Sequence, residues 1–107
     1  MFTLLRYATE DGKVPITEWL AGLKNTKTQV IISDRLDRVE SGLLGTVNTC
    51  REGVCELKID YGPGYRVYYA KVGKTVLLLL CGGDKRTQRS DIDTAVEYLR
   101  DFKRRTK

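Results

Sequence analysis

The sequence predicts an α+β domain: an N-terminal strand and a helical hairpin, then a three-stranded antiparallel meander completing a mostly antiparallel sheet, then a C-terminal helix. Three observations carry that prediction. The run from Thr75 to Cys81 holds four consecutive leucines and no polar face, which suits a strand covered on both sides. Ahead of it, VCELKID and RVYYAKV are separated by the turn YGPGY and followed by a Gly73-Lys74 turn, both too short for a crossover helix. The segments after Pro15 and after Ser90 instead repeat apolar residues at spacings of three and four.

Each element has its own signal. Phe2 to Tyr7 is rich in strand formers and ends at the Asp11-Gly12 turn. Pro15 suits the first turn of a helix whose face is Ile16, Trp19, Leu20 and Leu23. A second helix is expected from Thr26 as N-cap to Ser41, closed by Gly42, with Ile32, Leu36 and Val39 inward and an Asp34–Arg38 pair outward. The strands follow, and the leucine run is expected to stop at Gly82-Gly83 and open into Asp84, Lys85 and Arg86. The last helix is expected from Ser90, with Asp93 completing a capping box and Ile92, Ala95, Val96, Leu99 and Phe102 forming one stripe.

With 107 residues the chain reads as one domain, 1–107, large enough for a core and too short for two. No apolar run approaches the roughly 20 residues of a membrane helix, and no signal peptide is apparent, so a cytoplasmic location is expected. Three cysteines without C-x-x-C spacing, and no histidine, argue against a metal site or a bound cofactor and suggest buried thiols. The missing histidine also excludes Ser-His-Asp and Cys-His nucleophile systems, leaving lysine, arginine, tyrosine and carboxylates for any chemistry.

Net charge is +5 and is uneven. Lys85 to Lys107 holds most of it, which points either to an anionic partner or to a solvated helix face with a basic tail. The meander adds Lys58 on its first strand and Arg66 and Tyr68 on one face of its second, with Lys85 and Arg86 just past its third. Lys58 and Arg66 flank the YGPG turn closely enough to be neighbours. Cations clustered beside a tyrosine repel unless an anion joins them, and arginine binds phosphate in bidentate fashion.

The stretch from Glu56 to Phe102, above all GYRVYY followed by LLCGGDKRTQ and DI..A..Y, resembles the RelE/ParE superfamily of toxin–antitoxin toxins. The resemblance is to the phage-related, HigB-like "addiction module killer" branch, and it spans nearly the whole chain. It implies a type II toxin neutralised by a cognate antitoxin, usually a HigA-like helix-turn-helix protein, in a toxin–antitoxin hetero-oligomer. It further implies ribosome-dependent cleavage of mRNA through attack by the ribose 2′-hydroxyl, without metal. In those terms Arg66 would hold the scissile phosphate, with Lys85 or Arg86 as the basic residue after the next strand and Lys58 as a looser match. Tyr68 would stack on a base or donate a proton. Ile92 stands where some relatives have a tyrosine, and the proton-transfer pair stays open. Two other expectations remain beside this one: a ParE-like inhibitor that binds DNA gyrase, and an inactive antitoxin-binding or RNA-binding relative.

Overall fold

The computed structural model describes residues 1–106, and the expected α+β architecture is present. In chain order the elements are β1 (Thr3–Arg6), α1 (Pro15–Gly22), α2 (Thr26–Glu40), β2 (Val47–Thr49), β3 (Val54–Ile59), β4 (Tyr65–Gly73), β5 (Val76–Asp84) and α3 (Gln88–Arg105). A short 3-10 turn over Lys85–Thr87 joins β5 to α3. The strands form one sheet in the order β1-β5-β4-β3-β2, parallel only between β1 and β5. Among the described residues no helix is long and apolar enough to cross a membrane.

Each face of the sheet carries its own core. The α1–α2 hairpin buries Ile16, Ile32, Leu36 and Val39 against Leu57, Ile59, Val67, Tyr69, Leu77 and Leu79. On the other face α3 lays Ala95, Val96 and Leu99 over Val54, Tyr68, Ala70, Leu78 and Leu80. The leucine run thus feeds both layers alternately, each enclosed leucine contributing about 1.5–3 kcal/mol. Alternation then breaks: Leu80 has no partner in the β4 register, and Leu80 and Cys81 both pack under α3. This bulge resets the phase, so Gly82 faces the hairpin and Gly83 faces α3.

Several boundaries differ from expectation. The α2 N-cap is Asn25, not Thr26, because its side-chain oxygen accepts from the Lys27 and Thr28 amides. Asp34 and Arg38 form no ion pair. The edge strand β2 had no clear sequence signal: of three residues, all exposed, only Val47 is apolar, too short a run to show alternation. β5 does not stop at its glycines but runs through them to Asp84, because β4 continues to pair with it. Asp84 rather than Ser90 caps the following turn, and α3 begins at Gln88. The Ser90 hydroxyl donates to the Thr87 carbonyl instead of capping. The C-terminal basic run stays helical to Arg105, with Arg104 and Arg105 both paired to Asp101; Lys107 lies outside the described residues.

Candidate functional site

Strand pairing assembles the site. In the β3–β4–β5 register Lys58 lies opposite Arg66, and Arg66 opposite Gly83, so the expected neighbours meet. Two residues along the same face, Glu56 lies opposite Tyr68 and also opposite Asn48 of β2. Alternation therefore sets Asn48, Glu56, Lys58 and Arg66 on the face that α3 covers, at the helix's N-terminal end.

Arg66 does not project freely into solvent. Its Nε donates to Glu56 Oε1 at 3.1 Å and its Nη1 to the Gly64 carbonyl at 2.9 Å. Gln88, the first residue of α3, donates through Nε2 to the same Oε1 at 2.7 Å, and Asn48 Nδ2 donates to Oε2 at 3.1 Å. The Arg66 and Glu56 side chains are only 6% and 4% exposed, so the pair is almost dry. Such a pair holds only when geometry is good and the remaining polar atoms are satisfied, which Gln88 and Asn48 provide. The guanidinium's Nη2 takes no protein partner, and it is not sealed, since among the described residues Tyr68 Oη alone is fully buried without one. The network thus fixes the Arg66 plane, with Nη2 free of a hydrogen bond among the described residues.

The other sequence candidates sort differently. Lys85 is exposed on the 3-10 turn, and its Cβ lies 3.8 Å from the point where a Gly64 side chain would begin, with Arg66 Nη1 3.5 Å from it. A side chain there would make only ordinary contact with both, so glycine is called for by the backbone φ of 82°. Arg86 instead folds back on Asp84, Nη2 to Oδ2 at 2.9 Å, and the Asp84 carboxyl also accepts the Arg86 amide at 2.8 Å. The bond from Arg86 holds the Asp84 carboxyl below the usual carboxylate range. Arg86 is therefore turned away from Arg66, contrary to the expected convergence. Tyr68 requires a larger correction: it is fully enclosed beneath α3, and burial pushes its phenol well above the ordinary value. Its hydroxyl meets no surface on which a base could stack.

Of the three thiols expected to be buried only Cys81 is, and desolvation raises it to about 12; Cys50 and Cys55 are half-buried, and burial also raises Cys50.

Glu56, Gln88 and Asn48 escaped the sequence reading. Alternation in VCELKID does place Glu56 on the same face as Lys58, diagonal to Arg66, and an acid among inward-facing residues of a strand was the available signal.

No family model matches the chain. An uncharacterized protein of Haemophilus influenzae is 43% identical to it over 77 residues, 72% of this chain and 78% of that protein. The chain belongs to the family of that Haemophilus protein. In this family member Lys58, Lys85 and Arg89 make no ion pair among the described residues. Arg89 lines an adjoining cleft of about 390 Å³ with Cys50, Gln88 and Ile92. The site is therefore one anchored arginine edge with uncompensated cations around it.

Proposed function

We propose that this chain is the toxin of a type II toxin–antitoxin module and that it cuts messenger RNA on the translating ribosome. The observation that carries the reading is the Arg66 guanidinium, held in plane by Glu56 and Gly64 with Nη2 unbonded. A phosphodiester reaching Nη2 would meet a donor whose plane is already held, beside the exposed ammonium of Lys85. Preorganised donors of this kind are the main source of catalysis when negative charge develops on phosphoryl oxygens. The reaction needs little else. The 2′-hydroxyl oxygen attacks the adjacent phosphorus, the 5′-oxygen leaves, and the products are a 2′,3′-cyclic phosphate and a 5′-hydroxyl end. Both Glu56 oxygens already accept bonds, so that carboxylate positions Arg66, and proton transfer falls to the exposed Lys58 and Lys85. The ribosome would supply the substrate alignment. A cognate antitoxin, of the HigA-like helix-turn-helix kind, would neutralise the cationic face, which calls for acidic complementarity.

The test is a map of message 5′ ends in cells expressing wild type, Arg66→Lys and Lys85→Ala. Arg66→Lys keeps the charge opposite Glu56 but loses the fork, and cutting should fall about 100-fold, the loss typical of one transition-state donor. Lys85→Ala alters only an exposed side chain and should weaken cutting in a folded protein. Unchanged cutting by both variants overturns the reading. Intact messages together with blocked DNA supercoiling by the purified protein would replace it with gyrase inhibition.

A further inference from the structure

A second cleft lies at the C-terminal end of β5, on the hairpin side of the sheet, with a volume of about 550 Å³. Its aromatic wall is Trp19 of α1 and Tyr65 of β4, ring centroids 6.2 Å apart and planes at 64°. Both rings are partly exposed rather than buried. Its floor is Gly82 and Gly83: a side chain at Gly82 would begin 2.2 Å from the Trp19 ring, and one at Gly83 would collide with Asp91. Lys24 and Arg86 stand at its rim. Tyr65 and Gly82 belong to the face opposite Arg66 and Gly83, yet each is the chain neighbour of one of them. A strand of nucleic acid held at Arg66 therefore needs to pass only over the end of the sheet to reach the cleft.

We propose that this cleft receives one unpaired nucleobase of the bound RNA, stacked on Trp19 and Tyr65, with the exposed Lys24 drawing a flanking phosphate. Stacking on an aromatic platform between cations is how single strands are held without base-pair readout. Gly82 seats the Trp19 ring directly on the strand backbone, and the edge-to-face arrangement of Trp19 and Tyr65 presents an apolar corner with two π surfaces. An aliphatic or acidic peptide would leave those surfaces unused. The inference rests on the reading of the chain as an RNA-cutting protein, but it concerns binding alone and is tested without cleavage.

Trp19 is the chain's single tryptophan, so its emission reports directly on the cleft. The probe is a 2′-O-methyl hexanucleotide, which lacks the attacking hydroxyl and is not cut. Emission should quench saturably, while an abasic hexanucleotide of equal charge should bind at least 10-fold more weakly and leave it unchanged. Tyr65→Leu should weaken the base-containing probe about 10-fold, the scale of one stacked base. Lys24→Ala, on an exposed rim position, should lower affinity with the fold intact. Equal binding of the abasic probe, or binding seen by anisotropy with no change in Trp19 emission, overturns the proposal. Saturable quenching by a charge-matched aromatic peptide, with none by RNA, overturns it in favour of a protein partner. Saturable quenching by a protein that cuts no message would refute only the cleavage reading.

Discussion

At the scale of single residues, the site depends on a carboxylate rather than on its cations. Glu56 accepts from three side chains on three different elements: Asn48 of β2, Arg66 of β4 and Gln88 of α3. Its removal leaves a nearly dry guanidinium without a counter-charge, and a broken buried pair costs about 3–5 kcal/mol. Glu56→Ala should therefore lower the urea midpoint severely, whereas Glu56→Gln retains an oxygen for Arg66 and should cost less. If Glu56→Ala unfolds at the wild-type midpoint, Arg66 is not anchored through this pair. Arg66 was legible from its place between Tyr65 and Val67 in a strand, where a cation calls for an explanation. Its partner was harder to see, because the diagonal contact depends on a pairing register that loop composition leaves open. Tyr68 was misread for a related reason: sharing a face with Arg66 says nothing about where α3 covers that face.

At the scale of elements, apolar periodicity was sufficient wherever an element faces a core, as in α1, α2, β4 and the α3 stripe. It failed at ends and edges. β2 pairs through its backbone and carries no pattern, and the glycines that suggest a strand end instead lie inside β5 beyond a bulge at Leu80. Their purpose is close approach. Gly82 admits the Trp19 ring of α1, and Gly83 admits Asp91, whose Oδ2 accepts from the Thr87 hydroxyl at 2.5 Å. Gly82→Ala should force Trp19 off its seat and destabilise the protein by about 1–3 kcal/mol, the usual cost of overpacking. The same substitution should shift Trp19 emission toward that of a solvated indole. A variant with wild-type stability and emission would show that α1 does not rest on the strand there.

At the scale of the whole molecule, the two ends of the chain are clasped together. Tyr7, just past β1, donates its hydroxyl to Asp101 Oδ2 at 2.6 Å and stacks on Tyr98 with ring centroids 4.7 Å apart. Arg105 lies over the Tyr7 ring and bonds both Asp101 and the Ala8 carbonyl. Burial, then the bond to Asp101, pushes the Tyr7 phenol from about 10 up to about 12. The bond from Tyr7, then that from Arg105, holds the Asp101 carboxyl below its ordinary value of about 3.8. The signs follow by linkage. A raised phenol favours the folded state fully below pH 10 and loses that contribution as pH climbs from about 10 to about 12. A lowered carboxyl contributes above about pH 4 and loses its contribution as pH falls through that value. Tyr7→Phe removes the shared bond, so the gap in urea midpoint between wild type and variant should be level from about pH 5 to pH 9. It should close on both sides of that plateau. The buried phenol of Tyr68, away from Tyr7, is present in both proteins and cancels in the difference. A gap that stays constant on the acid side while closing in alkali would mean that Tyr7 ties the first strand to the last helix by packing alone, since burial by itself raises the phenol.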